Sequence, residues 1–186
     1  MSQPVALRRT SIDAAIVAGL LLLVPFRLML VGLTIPRTLI LLACYGAIGG
    51  LSMAATKKVT VHAHLGPLTA VAIGVAAVGA ASLWAGPAPA RSLDAVAVVL
   101  GIAAAISEEA LFRGLLFQRL ERFGAMAAVV IGALVFALVH VPLYGTAAFS
   151  VDFAAGLLLG WQRWATGGWG ASATTHAVAN VLAVLR

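Results

Sequence analysis

Residues 106–117, ISEEALFRGLLF, place two glutamates and an arginine inside an otherwise apolar stretch. Charge-free sequence lies on both sides of these residues, at 95–107 and at 123–151. An ionisable side chain near the centre of a membrane span costs about 2.5 to 3.5 kcal/mol, even on insertion scales that give low values. The stretch therefore predicts a membrane helix whose charged residues are kept for a function.

The composition of the whole chain also predicts a membrane protein. Of its 186 residues, 62% are hydrophobic and 10% are charged, whereas soluble domains carry roughly 25% charged residues. So few polar side chains cannot cover the surface of a soluble domain of this length. A soluble globular fold is thereby excluded.

Charge-free runs locate the predicted spans, because a helix needs about 20 apolar residues to cross a bilayer. They predict an all-α, polytopic transmembrane bundle of about seven helices. The limits are 12–34, 38–55, 66–86, 93–120, 124–141, 147–164 and 170–185. No repeat and no polar linker divides the chain, so residues 1–186 are predicted to form one membrane domain.

Lysines and arginines set the predicted orientation. With a cytoplasmic N-terminus, the inside segments carry Arg8, Arg9, Lys57, Lys58, Arg119, Arg122 and Arg163, and the outside segments carry Arg37, Arg91 and Arg186. This distribution follows the positive-inside rule, and it explains the net charge of +6 without a nucleic-acid partner. Arg27 lies near the middle of the first span and is expected to extend to a lipid headgroup.

Cysteine and histidine usage gives little sign of a disulfide or a metal cluster. Cys44 is the single cysteine, which excludes a disulfide framework within the chain, and it is expected in the packed core. His62 and His64 lie two residues apart in a basic stretch with no third ligand nearby. A solvated loop is therefore favoured over a metal site there.

The glutamate and histidine side chains deep in the spans, with two polar residues that follow them on the same helices, fall in three of the predicted spans. They are Glu108, Glu109 and Arg113 in the fourth span, His140 in the fifth, and His176 with Asn180 in the seventh. Residues four apart share one face of a helix, which pairs Glu109 with Arg113. Glu108 lies about 100° further round the helix and points elsewhere. Two adjacent carboxylates thus suggest two roles, one paired and structural, the other catalytic.

Helix lengths place Glu108 and His140 at one depth. If the chain reverses at Gly124, each of the two lies 16 residues from the turn, which is about 24 Å along an α-helix. A buried ion pair that fixes packing and a hydrogen-bonded core histidine are the structural alternatives. Because these ionisable residues occur together on three segments, a functional site is favoured over the structural alternatives.

His176 does not reach this depth so simply. It comes six residues after Gly170, so a straight helix leaves it on the order of 10 Å from its own loop. We expect either a helix break near Ser107 or a buried loop at 166–170. Such a loop is tolerated only where it faces protein or a water-filled cavity.

These residues resemble the motifs of the CPBP family of intramembrane proteases, also called the Abi or CAAX protease family, which includes the type II CAAX prenyl endopeptidases. The motifs are Glu-Glu-x-x-x-Arg, Phe-x-x-x-His and His-x-x-x-Asn. Here they are EEALFRG from Glu108, FALVH from Phe136 and HAVAN from His176. The resemblance covers 95–186 as a catalytic core, and residues 1–94 match only as hydrophobic helices.

The resemblance implies a role for each of these residues. Glu108 and His140 would activate the attacking water, while His176 and Asn180 would stabilise the oxyanion. Glu109, Arg113 and Phe136 would support them. A metal-free glutamate mechanism is favoured, and the alternative is zinc held by Glu108, His140 and His176.

The predicted function is that of an intramembrane endopeptidase in a prokaryotic cell membrane. Its partners would be the lipid bilayer and a membrane-embedded or lipidated peptide or protein substrate. One alternative is a non-catalytic immunity protein or scaffold of the same fold. Another is a small proton-coupled transporter, which does not explain the Asn four residues after His176.

Overall fold

Every regular element is helical in the computed structural model, which describes residues 3–30, 36–57, 63–86 and 94–186. The α-helices are α1 (Gln3–Leu30), α2 (Arg37–Ala55), α3 (Pro67–Trp84), α4 (Ala95–Glu109), α5 (Phe117–Leu120), α6 (Ala125–Tyr144), α7 (Phe149–Thr166) and α8 (Gly170–Val184). A π-helical segment (Ala110–Leu116) joins α4 to α5, and 3₁₀ turns cover Glu121–Phe123 and Thr146–Ala148. The all-α prediction is confirmed.

Counting α4 with its continuation through α5 as one helix, these elements form seven helices. Six lie within about three residues of the predicted limits, whereas α1 begins at Gln3, nine residues before its predicted start. Four of them, within the described ranges, are long and apolar enough to cross a membrane: Arg37–Ala55, Pro67–Trp84, Ala95–Phe123 and Ala125–Tyr144. Large apolar side chains also face outward, among them Leu68 and Trp84, at 84% and 93% exposure. The protein is an integral membrane protein of the helical type.

Local sequence features explain where the helix with the charged stretch begins and where the chain reverses after it. The Asp94 side chain accepts hydrogen bonds from the backbone N–H groups of Val96 and Ala97, at 2.9 and 3.1 Å. Such bonds satisfy donors that the first turn of a helix leaves free. The chain reverses at Gly124, whose φ of 102° favours glycine. The turn that set the predicted depth of Glu108 and His140 is thus present.

Small residues let α6 and α7 lie close together. A Cβ atom added at Gly156 would lie 2.8 Å from the Cα of Ala133. The carbonyl of Gly156 accepts a bond from Arg113, so this close approach also bears on the buried charges. Glycine at 156 therefore sets where α7 stands relative to α6 and the π-helical segment.

A buried glutamine joins three helices. Gln162 of α7 donates through Nε2 to the carbonyl of Ala70 in α3, at 2.7 Å, and to Oγ1 of Thr175 in α8, at 2.9 Å. A Cβ at Gly74 of α3 would lie 2.3 Å from this Nε2 atom. The missing side chain at Gly74 thus makes room for the polar contacts that hold α8.

An apolar cluster lies beside the charged residues. It unites side chains of α1, α2, the π-helical segment and α6: Leu20, Val24, Ile48, Leu111, Phe112, Leu115, Leu116 and Phe136. Cys44 is buried on α2, as expected from its apolar surroundings in the sequence. The first helix is therefore packed against the core, in a position to bring Arg27 inside.

Candidate active site

Glu108 lies in a buried ion pair that the sequence did not predict. Its Oε1 atom accepts a hydrogen bond from Nη1 of Arg27 at 2.7 Å, and the side chains are only 3% and 6% exposed. The guanidinium of Arg27 also lies 5.2 Å from the ring centre of Tyr45. The expectation that Arg27 extends to a headgroup is wrong, because α1 packs inward at this level.

The predicted division into one paired and one unpaired carboxylate is also wrong. Glu109 pairs with Arg113 of its own helix at 2.8 Å, as expected, while Glu108 pairs with an arginine 81 residues earlier in the chain. Each carboxylate therefore has its own counter-ion. Local spacing identified only the pair within one helix.

His140 faces the other oxygen of Glu108. Its Nε2 atom lies 3.4 Å from Oε2 of Glu108, at the common depth that helix lengths predicted. Its Nδ1 atom lies 2.7 Å from the carbonyl oxygen of Phe136. Because a carbonyl oxygen only accepts, Nδ1 carries the hydrogen and Nε2 is left to exchange a proton near the carboxylate.

Glu109 connects the fourth and seventh spans. Its Oε1 atom accepts from Arg113 and lies 2.9 Å from Nδ1 of His176. Arg113 donates a further bond to the carbonyl of Gly156, at 3.1 Å. Glu109 is fully buried, and its Oε2 atom has no hydrogen-bond partner among the described residues. The pair Glu109 and Arg113 thus holds His176 and α7 in place.

The loop before α8 explains how His176 reaches this level. A Cβ at Gly114 in the π-helical segment would lie 3.6 Å from Cδ1 of Trp169, so the two residues are neighbours. Glu109 lies five residues before this contact and His176 seven residues after it, which are similar distances of roughly 7 and 10 Å. The two side chains therefore come level.

Of the two expected solutions, the structure is nearer to the loop at 166–170, although that loop is recessed and not buried. Its residues 166–169 are partly exposed and Gly170 is exposed. The loop contacts Gly114 nine residues before the helix ends at Phe123, about 13 Å along its axis. The helix does not break at Ser107; it widens into π-helical turns from Ala110. Such turns occur mostly as single insertions in α-helices, frequently at functional sites.

Asn180 lies apart from the pair of Glu108 and His140. Its amide Nδ2 donates to the carbonyl oxygen of Gly101 at 2.9 Å, seven residues before Glu108 on α4. In this arrangement the side chain joins α8 to α4. The oxyanion role implied by the resemblance stays a prediction.

Phe136 contacts most of the charged groups. Its ring centre lies 4.4 Å from that of His140, 5.8 Å from that of His176 and 4.6 Å from the guanidinium of Arg113. The ring thus lies against His140 of one carboxylate cluster and against His176 and Arg113 of the other. This placement agrees with a supporting role.

The three side chains proposed for zinc do not gather around one point in this arrangement, and Glu108 is bound to the cation Arg27, which would repel a dication. The contact of His176 with Glu109 uses Nδ1 and leaves its Nε2 atom open. Among the residues that the structure describes, no three His, Cys, Asp or Glu side chains group closely enough to hold a metal.

Of the second histidine pair only His64 lies in the described part of the chain, where it belongs to no group of metal-binding side chains. His64 stacks against Trp164, with ring centres 4.9 Å apart, and His62 lies outside the described residues. The backbone N–H groups of His64 and Leu65 donate to the carbonyl of Ala165, at 2.8 and 2.9 Å. The described residues 63 and 64 are exposed, as expected for a solvated loop, and these backbone bonds join the segment to the end of α7.

Sequence reasoning missed two further residues near Glu108. Tyr144, one turn after His140, stacks on its ring at 5.7 Å. Asp152 of α7 interacts electrostatically with Glu108 and His140, and its Oδ2 atom is buried without a hydrogen-bond partner in the described chain. The sequence offered one signal for Asp152, since it is a lone carboxylate between two charge-free runs.

Comparison with protein families matches residues 91–182 to the family described as type II CAAX prenyl endopeptidase Rce1-like. This range contains all three motifs, so this part of the chain belongs to that family and the recognition from the motifs is confirmed. The match supports a CAAX-type intramembrane protease in general. No curated protein and no solved structure matches the chain.

Proposed function

We propose that this protein, whose residues 91–182 are Rce1-like, is an intramembrane endopeptidase in which Glu108 and His140 activate the water that attacks a peptide bond. The observation that carries the proposal is the buried approach of His140 Nε2 to Glu108 Oε2 at 3.4 Å. Amide hydrolysis needs a base placed beside the attacking water. The Nδ1 contact with the Phe136 carbonyl keeps the imidazole turned to the carboxylate.

In the proposed reaction a water lies beside Glu108 Oε2 and His140 Nε2 and forms a hydrogen bond to each of them. Glu108 accepts a proton from the water, and the resulting hydroxide oxygen bonds to the carbonyl carbon of the substrate. The tetrahedral intermediate then breaks its carbon–nitrogen bond, and the proton passes from Glu108 to the leaving amine. Arg27 holds the other carboxylate oxygen, so Oε2 is the atom that receives the proton.

The oxyanion needs donors placed where its negative charge develops. His176 donates its Nδ1 hydrogen to Glu109, so it offers a second hydrogen at Nε2 only as an imidazolium ion. Glu109 accepts from Nδ1 and so holds the orientation of the ring. Asn180 supplies an amide donor after exchanging its bond to the Gly101 carbonyl. Glu109 and Arg113 act as positioning residues.

The proposed substrate is a membrane-associated or lipidated peptide or protein. An apolar groove of about 600 Å³ lies between α1 and the end of α6, lined among others by Leu22, Phe26, Met29 and Pro142. Phe26 is half exposed in the groove, whereas Arg27, about 100° further round α1, is buried, and the residues that line the groove include no charged one. In the proposal this groove on the outer face of α1 binds the apolar part of the substrate.

Cleavage of a farnesylated, fluorogenic CAAX peptide by purified protein in nanodiscs tests this proposal. We expect Glu108→Gln and His140→Ala to lower the rate by about 10² to 10⁴, because each removes a proton-transfer group. Arg122→Gln, an exposed charge elsewhere, is the matched control and should cleave like wild type. If Glu108→Ala protein cleaves the peptide as fast as wild type, the proposal is wrong.

The same assay addresses substrate class and metal dependence. A peptide without the lipid should be cleaved more slowly if the apolar groove takes part in binding. A chelator should leave the rate unchanged, because the metal-free mechanism assigns every step to side chains. If a chelator abolishes cleavage and added zinc restores it, the metal-free mechanism is wrong.

A non-catalytic immunity protein or scaffold is the second candidate. The observation that favours it is the full pairing of both carboxylates with arginines, which also serves packing alone. Under this hypothesis the biological effect of the protein survives Glu108→Gln in cells. Under the protease hypothesis the same substitution removes the effect and leaves the bound substrate uncut.

A further inference from the structure

A second polar site lies at the end of the helices away from Asn180. It is a pocket of about 270 Å³ between the ends of α2 and α7, the π-helical segment and α5. Its lining includes Lys57, Gln118, Arg163 and the loop residues Gly167 and Gly168. None of the residues assigned to peptide hydrolysis lines it.

Arg163 is the buried cation of this pocket. It is 7% exposed, and its Nε atom donates to the carbonyl of Arg113 at 3.0 Å. Its Nη1 atom is buried and has no hydrogen-bond partner among the described residues. The guanidinium also lies 4.9 Å from the ring centre of Phe117. A buried guanidinium N–H without an acceptor is costly unless a ligand supplies one.

Further groups around the pocket suit a negative ligand. Lys57 adds an exposed cation, and its position is fixed because its backbone N–H and carbonyl both bond to the Gln118 side chain, each at 2.9 Å. Gly167 is left-handed, with φ of 70°, after the helical Thr166. A left-handed glycine is a common end of an α-helix, and here it places Gly167 and Gly168 in the lining of the pocket.

The charges favour an anion over a second structural ion pair. Lining residues of the pocket include Lys57 and Arg163 but no carboxylate. Glu121 lies near enough to attract Arg163 electrostatically, yet it does not line the pocket. The pocket therefore keeps a positive balance that a ligand can neutralise.

We infer that this pocket binds a phosphate group, supplied either by the headgroup of an anionic phospholipid or by a free phosphate compound. Arg163 donates to its oxygens from within and Lys57 from the rim. The volume of about 270 Å³ accommodates one such group. The inference is independent of the proposed peptide hydrolysis.

Two probes distinguish the sources of the phosphate group. Inorganic phosphate is titrated calorimetrically into full-length protein in a neutral detergent, with chloride adjusted to hold the ionic strength constant. Phosphatidylglycerol is offered in phosphatidylcholine nanodiscs, and retained lipid is counted by native mass spectrometry. We expect one molecule of at least one probe to bind per chain.

Charge-removing variants locate the binding. Arg163→Gln and Lys57→Gln should weaken binding by about ten-fold or more, since each removes a charge-assisted hydrogen bond. Glu121→Gln should strengthen it. Arg122→Gln removes the same charge from an exposed position outside the pocket and should leave binding unchanged.

Lys57→Gln keeps the test decisive if Arg163→Gln fails to fold, because the Lys57 side chain is exposed. Binding of phosphate alone assigns a free phosphate compound, and retention of phosphatidylglycerol assigns a headgroup. The inference is overturned if neither probe binds. It is also overturned if Arg122→Gln weakens binding as much as Lys57→Gln does, since the anion is then attracted by net charge only.

Discussion

Arg27 and Glu108 are the residues whose relation most changes the interpretation of the site. An arginine in the middle of an apolar span suggested a side chain bound for the headgroups. In the structure it is buried and lies 2.7 Å from the carboxylate assigned to the chemistry. Pairing keeps the carboxylate available as a base and leaves its Oε2 atom to His140.

A double-mutant cycle tests this pair. Arg27→Met alone should lower the free energy of unfolding by about 3 to 5 kcal/mol, because it leaves a buried carboxylate without its cation. Adding Glu108→Gln should recover part of the loss, since no unpaired charge then remains. Urea unfolding of the purified protein in detergent measures both values.

The pairing is contradicted if the losses of unfolding free energy in Arg27→Met and in Glu108→Gln simply add up in the double variant. In that case the ion pair would contribute nothing to folding, and Arg27 would act separately from Glu108. Arg122→Gln serves as the control here also, because its side chain is exposed and surface charges contribute little.

At the scale of elements, the contact of α6 with α7 holds the supporting residues in place. Gly156 allows the close approach, and its carbonyl accepts from Arg113, which pairs with Glu109. A change in the distance between these helices is therefore passed to Glu109 and His176. The backbone of Gly156 thus takes part both in the close contact of α6 with α7 and in the hydrogen bonds of Arg113.

Gly156→Ala tests this connection. The added methyl would lie 2.8 Å from the Cα of Ala133, and overpacking of this kind costs about 1 to 3 kcal/mol. We expect a lower midpoint of thermal unfolding and slower peptide cleavage in the folded fraction. Gly132→Ala in α6 is the matched control, because a Cβ there meets no atom within 4 Å.

Gly132→Ala should be neutral or slightly stabilising, since alanine favours a helix over glycine by about 1 kcal/mol. If Gly156→Ala is as well tolerated as Gly132→Ala, the close approach of α6 to α7 does not limit folding. Loss of stability with unchanged cleavage would separate the packing of α7 from the position of Arg113.

At the scale of the whole molecule, the contacts between helix ends agree with seven spans that cross the membrane in alternating directions. Lys57 at the end of α2 bonds to Gln118 of α5. At the other end, Arg186 after α8 donates to the carbonyls of Ser82 and Gly86 at the end of α3. The first group contains residues predicted to face the cytoplasm, and the second contains residues predicted to face outward.

Cysteine labelling tests that orientation. In a Cys44→Ala background, a membrane-impermeant maleimide should label Ala85→Cys in intact cells, and Lys57→Cys only after permeabilisation. Both positions are exposed, and α3, one of the candidate spans, separates them. The reverse pattern would overturn the cytoplasmic N-terminus, and labelling of both in intact cells would contradict a membrane-spanning α3.

The sequence by itself determined the features that depend on local spacing. Apolar run lengths specified the helices, and the four-residue interval specified the pair of Glu109 and Arg113. Equal distances from Gly124 placed Glu108 beside His140. Helix rise and period are fixed by backbone geometry, so positions within one hairpin follow from counting residues.

Only the tertiary structure decided which helices are neighbours. It paired Arg27 with Glu108, brought His176 to Glu109, directed Asn180 to Gly101 and gathered Lys57 and Arg163 around one pocket. These partners are 50 or more residues apart. In a bilayer, apolar helices lack the polar face that marks the outside of a soluble helix. Their neighbours are chosen by small residues and buried polar bonds, which a single sequence does not rank.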